Sequence, residues 1–373
     1  MEQTLYTVGL NMVRGIGSAR TRLLLNRFGT AEAAWHSSDH DLRACGLPQP
    51  VVQNLIALRA DVDLEQVKTR LERMSVSVLV WDSPSYPHLL RNIENSPPVL
   101  YVRGHIDPEA EWAIAIVGTR RASDYGRSVA RRLSTDLAQN QVTVVSGLAR
   151  GIDTAGHRAA LDAGGQTIAV LGCGIDHVYP PENRSLAAQI AEQGALVTEY
   201  PLGTPPESSN FPPRNRIISG LTLGTIVVEA GKRSGALITA AYALDQGRDV
   251  FAVPGNIYNR GSKGTNQLIR DGAHPVTDVR DVLESLNLNM LSDHQAAREI
   301  LPANELEGKL LQYVSAEPTH VDQISQESEL PVATISSALA LMELKGMVRQ
   351  AGGMKYVLAR EKAAEYDVQA VSS

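Results

Sequence analysis

Six short runs of β-branched and apolar residues recur along the middle of the chain, and segments with helical periodicity separate most of them. The runs occupy residues 114–117, 142–145, 167–171, 196–198, 225–228 and 250–253. Near-continuous apolar strands that alternate with helices are typical of a parallel sheet covered on both faces. The alternation therefore predicts an α/β fold built on a doubly wound, mostly parallel sheet.

A helical region precedes this sheet. With 373 residues the chain exceeds what one hydrophobic core usually organises, so more than one domain is expected. Residues 1–66 contain short helical runs bounded by Gly15, Gly17, Gly29 and Gly46, which predicts a small all-α domain. It resembles a helix-hairpin-helix or SAM-like domain, which either contacts nucleic-acid backbone or only packs and mediates association. The sheet domain is assigned to residues 67–288.

A third unit follows a polar linker at residues 289–304. Residues 305–360 show three helical segments and then two short strands around a glycine turn, an order that predicts a winged helix. The expected recognition helix, residues 331–344, contains neither Arg nor Lys, so both DNA contact and protein contact remain open for this domain. Residues 361–373 are assigned to a tail.

Composition narrows the function classes. The net charge of -6 gives no global signal for nucleic acid, so any such binding depends on locally concentrated cations. Cys45 and Cys173 are the only cysteines, which supports neither a disulfide framework nor a zinc site. No apolar run reaches about 18 residues, and the first residues lack the pattern of a signal peptide. We therefore expect a cytoplasmic protein without a membrane span.

Glycine-rich turns follow several of the predicted strands. Ligands of open parallel sheets bind outside the carboxyl ends of the strands, and helix starts there offer free N–H groups to anions. Several such turns on one edge predict a shared anionic ligand. The candidate contacts in these turns are Gly118, Thr119, Arg120, Ser146, Gly147, Arg150, Gly174, Lys232, Ser234 and Gly235.

One further basic segment, residues 211–216, reads Phe-Pro-Pro-Arg-Asn-Arg and begins a predicted helix. Arg214 and Arg216 cannot share one face of a regular helix, so we expect at least one of them to turn inward. Phe211 offers an aromatic face on which a base could stack. Phe211, Arg214, Asn215 and Arg216 join the candidate contacts.

Common catalytic signatures are missing from these turns. The segment 172–174 lacks the third glycine of a dinucleotide fingerprint, and Lys232 is not part of a Walker A motif. No Gly-x-Ser-x-Gly surrounds Ser146. We expect the acidic residues beside the turns to orient loops, accept N–H groups or pair with arginines, and we predict no catalytic residue, metal or cofactor. The residues that could instead be hydrolytic or metal-binding are these acidic residues, Asp153, Asp176, Glu199 and Glu229, together with His157.

Taken in order, the motifs resemble the bacterial DNA-processing protein A (DprA/Smf) family. They are residues 116–120, 146–153 with His157, 211–218, 229–235 and 247–255. The resemblance implies an extended Rossmann-like fold with a helical domain before it and a winged helix after it. It also implies a non-enzymatic homodimer that binds single-stranded DNA, protects incoming strands during natural transformation and helps to load the RecA recombinase.

The residues themselves indicate a compatible mechanism. Phosphates would contact Arg120, Arg150, Arg214 and Arg216, while Phe211 stacks on a base, which favours single strands over duplex. We expect Arg120→Ala and Arg214→Ala each to weaken this binding while preserving the fold. Two alternatives remain: a nucleotide-processing enzyme similar to phosphoribohydrolases, and a winged-helix regulator whose central domain binds an effector.

Overall fold

The computed structural model describes residues 2–106, 112–288, 305–314, 318–328, 330–344, 348–350 and 352–358. These residues form two compact units, Met1–Leu286 and Asn287–Ser373. The predicted linker, residues 289–304, and the predicted tail, residues 361–373, lie outside the described residues. In the described part of the chain, no helix is both long enough and apolar enough to cross a bilayer.

The first unit begins with six helices: α1 (Glu2–Met12), α2 (Ser18–Phe28), α3 (Ala31–His36), α4 (Asp39–Ala44), α5 (Gln49–Asp61) and α6 (Leu64–Arg73). Side-chain oxygens of Thr30, Ser38 and Asp63 accept backbone N–H groups at the starts of α3, α4 and α6, which satisfies donors that the helices leave free. Leu10, Leu24, Trp35, Leu42 and Leu55 belong to the apolar core of these helices.

The helical region does not stand apart from the sheet. Val8 of α1 packs in one buried cluster with Leu71, Val76 and Tyr101. The Tyr101 hydroxyl also donates to Oδ1 of Asn11 at 3.0 Å. The structure therefore joins the two regions in one compact unit, and the proposed boundary at residue 66 stays a prediction.

Nine strands form one sheet in the order β1-β2-β6-β5-β4-β3-β7-β8-β9. Their bounds are β1 (Val76–Val80), β2 (Val99–Gly104), β3 (Ala113–Val117), β4 (Thr143–Ser146), β5 (Thr167–Val170), β6 (Ala195–Thr198), β7 (Gly224–Val227), β8 (Asp249–Ala252) and β9 (His274–Pro275). The strands from β6 to β9 in this order pair in parallel. β2 pairs antiparallel with both β1 and β6 and so extends the sheet at one edge.

Eight further helices connect or follow these strands: α7 (His88–Arg91), α8 (Asp124–Gln139), α9 (Ile152–Asp162), α10 (Arg184–Gln193), α11 (Phe211–Gly220), α12 (Ala236–Asp245), α13 (Lys263–Arg270) and α14 (Val279–Ser285). α11 and α12 bury Ile217, Ile218 and Ala240 against Val145 and Val227 of the sheet. α8 and α9 lie together elsewhere on the sheet.

The chain reverses its direction of travel across the sheet at β3. β4, β5 and β6 follow on one side of it, whereas β7 and β8 lie on the other. In open parallel sheets the crevice between two such neighbouring strands, here β3 and β7, is where ligands bind. The fold therefore places the turns after β3 and β7 on either side of a natural binding crevice.

The second unit contains α15 (Glu305–Leu311), β10 (Thr319–His320), α16 (Val321–Ser328), α17 (Val332–Leu344), β11 (Val348–Gln350) and β12 (Lys355–Leu358). The three strands form a small antiparallel sheet in the order β10-β12-β11. Leu310, Ile324, Ile335 and Leu339 are fully buried in its core. The predicted fold class, a mostly parallel sheet with an N-terminal helical region and a winged helix, is confirmed.

Candidate nucleic-acid interface

A cleft of about 620 Å³ opens at the carboxyl ends of β3, β4 and β7. Its walls come from the turns after these strands and from the first turns of α11 and α12. Of the predicted contacts, those that line it are Gly118, Thr119, Arg120, Phe211, Arg214, Asn215, Ser234 and Gly235. Gly147 and Arg150 line an adjoining recess together with Arg120, Phe211 and Arg214. Segments far apart in sequence thus meet at the edge predicted for them.

Arg214 is the innermost cation of the cleft. Its side chain donates to the backbone oxygen of Gly147 at 2.9 Å and to that of Val170, and the residue is only 4% exposed. Burial lowers the pKa of Arg214 to about 10, while the nearby Asp153 carboxylate opposes this effect. The guanidinium therefore stays charged at neutral pH. Gly147 makes this approach possible, because a Cβ there would lie 2.6 Å from Nη2 of Arg214.

Phe211 lies between charged and aromatic neighbours at the mouth of the recess. The guanidinium carbon of Arg120 is 5.5 Å from the ring centroid, and that of Arg214 is 5.8 Å from it. The ring of Tyr179 lies 5.5 Å away and is tilted by 43°. Arg120 is exposed and has no ion pair among the described residues. These groups together present both a cation and aromatic faces to the cleft.

Asp153 organises the turn after β4. Its Oδ2 accepts the backbone N–H groups of Gly147 and Ala149, each at 3.2 Å. Burial raises the pKa of this carboxyl group, whereas the Arg214 guanidinium and the two N–H groups oppose that rise. Asp153 thus fixes the loop that forms one wall of the recess.

Glu229 does the same for the turn after β3. Its Oε2 accepts both the N–H and the hydroxyl of Ser123 at 2.9 Å, and its backbone oxygen accepts the N–H of Thr119 at 2.7 Å. These bonds hold both ends of the segment that carries Arg120. Glu229 is only 6% exposed, so its buried carboxylate holds the turn after β3 in place.

Two arginines of the predicted set already have carboxylate partners. Arg216 donates to both carboxylate oxygens of Glu199, at 2.5 and 2.7 Å, and its side chain is only 11% exposed. Arg150 pairs with Glu182 on the surface, and not with Asp153, which is buried beneath the loop. Arg214 and Arg216 do point in different directions, as the helical spacing predicted. Both arginines turn inward, and Arg216 does not line the cleft.

Three other predicted contacts lie away from the cleft wall. Ser146 is fully buried, and its hydroxyl donates to the backbone oxygen of Ile116 at 2.5 Å. Its side chain therefore joins β4 to β3, and the ligand contact expected of Ser146 stays a prediction. Gly174 lies under the backbone of Pro201 and Thr204. Lys232 is exposed beyond the cleft, in the turn after β7.

His157 is a structural residue. Thr167 donates its hydroxyl proton to the backbone oxygen of Val144 at 2.6 Å, so Nδ1 of His157 donates to Oγ1 of Thr167 at 2.7 Å. Nε2 is buried without a hydrogen-bond partner among the described residues. Burial, aided by the Arg214 charge, lowers the pKa of His157 to about 3. The ring is therefore neutral at physiological pH.

The acidic residues beside the turns accept backbone N–H groups or pair with arginines. Asp153 and Glu229 accept N–H groups, and Glu199 pairs with Arg216. Asp176 accepts the N–H of Gly203 and pairs with Arg70 at 3.0 Å. Within the described residues, no group of three His, Cys, Asp or Glu side chains is arranged to hold a metal ion.

Sequence reasoning missed Tyr179. This residue follows the turn after β5, its peptide bond to Pro180 is cis, and its side chain lines both the cleft and the recess. A Tyr-Pro-Pro segment soon after a glycine-rich turn was the available signal. Its closeness to Phe211 depends on the path of the loop between β5 and α10, which no local pattern determines.

Comparison with known proteins places the chain in a family. The family model described as DNA recombination-mediator protein A matches residues 77–287, and the model of the DprA winged helix domain matches residues 294–354. The chain belongs to the DprA/Smf family. The predicted resemblance is thereby confirmed, and the family is one of DNA-processing proteins.

Individual DprA/Smf relatives match over most of their length. Protein Smf of Synechocystis sp. is 35% identical over 388 residues, covering 94% of this chain and 98% of the relative. Protein Smf of Escherichia coli is 42% identical over 290 residues, covering 76% of this chain and 78% of the relative.

Two solved DprA structures share the fold. That of DprA from Streptococcus pneumoniae superposes with a TM-score of 0.65 at 34% identity, over 76% of this chain and 97% of that one. The structure of DNA processing protein A from Helicobacter pylori superposes with a TM-score of 0.52 at 28% identity, over 58% of this chain and 97% of that one. The Helicobacter pylori structure is described as showing a single-stranded DNA binding mode.

Proposed function

We propose that the chain binds single-stranded DNA in the cleft at the carboxyl ends of β3, β4 and β7. The observation that carries this proposal is the position of Arg120. Its guanidinium is exposed, lies against Phe211 and lacks an ion pair among the described residues. A fixed, unneutralised cation beside aromatic rings suits a ligand with alternating phosphates and bases.

Phosphates would bind through Arg120 and through polar groups around it in the cleft. The hydroxyls of Thr119 and Ser234 and the amide of Asn215 line the same cleft. Arg214 contributes mainly its positive field, because the residue is only 4% exposed and its Nη1 already donates to two carbonyl groups. The proposed contacts are Gly118, Thr119, Arg120, Gly147, Arg150, Phe211, Arg214, Asn215, Ser234 and Gly235.

Bases would stack on Phe211 and Tyr179. Stacking on an aromatic side chain contributes about 1–3 kcal/mol per base and requires an unpaired base. We therefore expect single strands to bind more tightly than duplex of the same length. No array of side chains in the cleft suggests readout of base edges, so little sequence preference is expected.

The wider role follows from the family. The matching family model is described as a recombination mediator, which supports a role in recombination. We propose that the protein protects incoming strands and delivers them to the RecA recombinase, as a cytoplasmic homodimer. The alternative of a nucleotide-processing enzyme draws no support from the cleft. Glu229, the carboxylate that follows β7, is buried and engaged with Ser123.

Fluorescence anisotropy with labelled oligodeoxythymidylate tests the proposal. We expect Arg120→Ala to raise the Kd for single strands and to lower the dependence of binding on salt, whereas Arg73→Ala, at an exposed arginine of α6, leaves both unchanged. Equal binding by wild type and Arg120→Ala across a salt titration would contradict the site. Release of free base from nucleoside monophosphates would support the enzyme instead. Faster RecA filament formation on single strands in the presence of the protein tests the mediator role.

A further inference from the structure

A second group of cations lies beside the cleft, in the turns after β7 and β8. Lys232 and Arg233 belong to the first turn, Arg260 belongs to the second, and Lys263 begins α13 directly after it; we call these four residues the basic shelf. The turns touch each other, because the N–H of Gly264 donates to the backbone oxygen of Ala230 at 2.7 Å.

All four side chains of the basic shelf are exposed, and none forms an ion pair with a described residue. The position of Lys263 does not favour folding. It is the first residue of α13, and no acidic residue occupies the first turn of that helix. A cation at this end lies unfavourably in the field of the helix dipole, at a small cost in stability. An anionic ligand would offset that cost, whereas a purely structural role leaves it unexplained.

The basic shelf continues directly from the cleft. Ser234 and Gly235 line the cleft and follow Arg233 without interruption. β7 and β8 are paired neighbours in the sheet, so their carboxyl ends lie roughly 5 Å apart. A chain that leaves the cleft over Ser234 therefore meets the four cations next.

An aromatic ring stands on the same surface. Tyr258, in the turn after β8, is 88% exposed. Its backbone N–H is held by Oδ1 of Asn256 at 2.9 Å, which fixes the turn beneath it. On the neighbouring α8, the hydroxyl of Tyr125 donates to the backbone oxygen of Pro254 at 3.2 Å. An exposed tyrosine on a braced turn is suited to stacking on a base.

We propose that the basic shelf is a second binding segment for single-stranded nucleic acid, which receives the strand where it leaves the cleft over Ser234 and Gly235. Its four cations contact phosphates and Tyr258 stacks on a base. This inference rests on the proposed function of the cleft. It extends the binding site across β8 and makes affinity depend on the length of the strand.

Two oligodeoxythymidylates test it. One has about 4 nucleotides, the lower limit for a single-strand site, and the other about 20, which exceeds the upper limit of roughly 16. The variant carries Lys232→Gln, Arg233→Gln, Arg260→Gln and Lys263→Gln in the full chain. The control carries Arg73→Gln and Arg103→Gln. Both arginines are exposed and lie at the opposite edge of the sheet, Arg73 at the end of α6 before β1 and Arg103 in β2. Circular dichroism and thermal unfolding compare the folded state of all three proteins.

We expect the variant to bind the short strand as wild type does and to lose on the order of 10-fold or more in affinity for the long one. Its slope of log K against log salt with the long strand should fall by about 0.7 for each phosphate contact removed. Tyr258→Ser should weaken binding of the long strand with little change in that slope. The control should match wild type with both strands.

If the variant binds the long strand with the same affinity and the same salt slope as wild type, the inference is overturned. An equal loss with both strands also overturns it, because the four cations would then act on the cleft itself. If wild type binds the long strand no better than the short one, no second segment exists although the cleft still binds. If wild type binds neither strand, the proposed function fails as well.

Discussion

Arg214 lies one helical turn after Phe211 on α11, and its guanidinium carbon is 5.8 Å from the centroid of the Phe211 ring. The same ring is approached from solvent by Arg120 at 5.5 Å. Two arginines therefore share one aromatic neighbour but differ in burial. The buried one is bonded to protein carbonyls, whereas the exposed one is free to meet a ligand. This difference separates a supporting cation from a binding cation.

Replacement of these two arginines should have different effects. Arg120→Ala should weaken single-strand binding and change the free energy of unfolding by less than about 0.5 kcal/mol, as is usual for a surface site. Arg214→Ala should lower the free energy of unfolding by about 1–3 kcal/mol, because it removes the buried donor that the backbone oxygens of Gly147 and Val170 accept from. Urea unfolding of both variants measures this difference. The sequence-based expectation that Arg214→Ala preserves the fold stays a prediction, which the same measurement tests.

The two aromatic side chains of the recess should act on single strands only. Phe211→Leu keeps an apolar group in the recess but removes the ring, and we expect a loss of about 1–3 kcal/mol in binding, on the order of 10- to 100-fold in Kd. Tyr179→Leu should produce a loss of the same kind. Binding of duplex DNA, whose bases are already stacked, serves as the internal control. An equal loss for both forms of DNA would indicate a disturbed cleft and not lost stacking.

The sheet and its binding edge were predictable because each depends on local pattern. Apolar β-branched runs specify buried strands, and the glycine turns after them necessarily meet at one edge of a parallel sheet. Partners of charged residues were not predictable in the same way. Arg216 meets Glu199 from the preceding loop, and Arg150 meets Glu182 from beyond β5. Such pairs, and the position of Tyr179, depend on the conformation of irregular loops at this edge of the sheet, which local sequence patterns do not specify.

The Arg150–Glu182 pair yields a gain-of-binding prediction. Both side chains are about half exposed, so the pair contributes little to stability. Glu182→Gln frees Arg150 beside the recess and removes a negative charge that repels phosphate. We expect tighter binding of single strands and a salt slope that is steeper by about 0.7, the value for one added phosphate contact. Glu192→Gln, an exposed residue of α10 with the same change of charge, should bind as wild type does. Equal tightening in both variants would show a general charge effect.

His157 should make the folded state sensitive to acid. Its pKa falls from 6.5 to about 3 on folding, so between these values the unfolded chain binds a proton that the folded protein does not. Stability is therefore full above about pH 6.5 and declines as the pH falls toward 3, by up to about 1.4 kcal/mol per pH unit from this residue. His157→Asn keeps a donor for Oγ1 of Thr167 but cannot titrate. Urea unfolding from neutral pH to about pH 4.5 should show a shallower decline for the variant, whatever its stability at neutral pH. If the stability of the two proteins declines in parallel, His157 takes up its proton over the same pH range in the folded state as in the unfolded state.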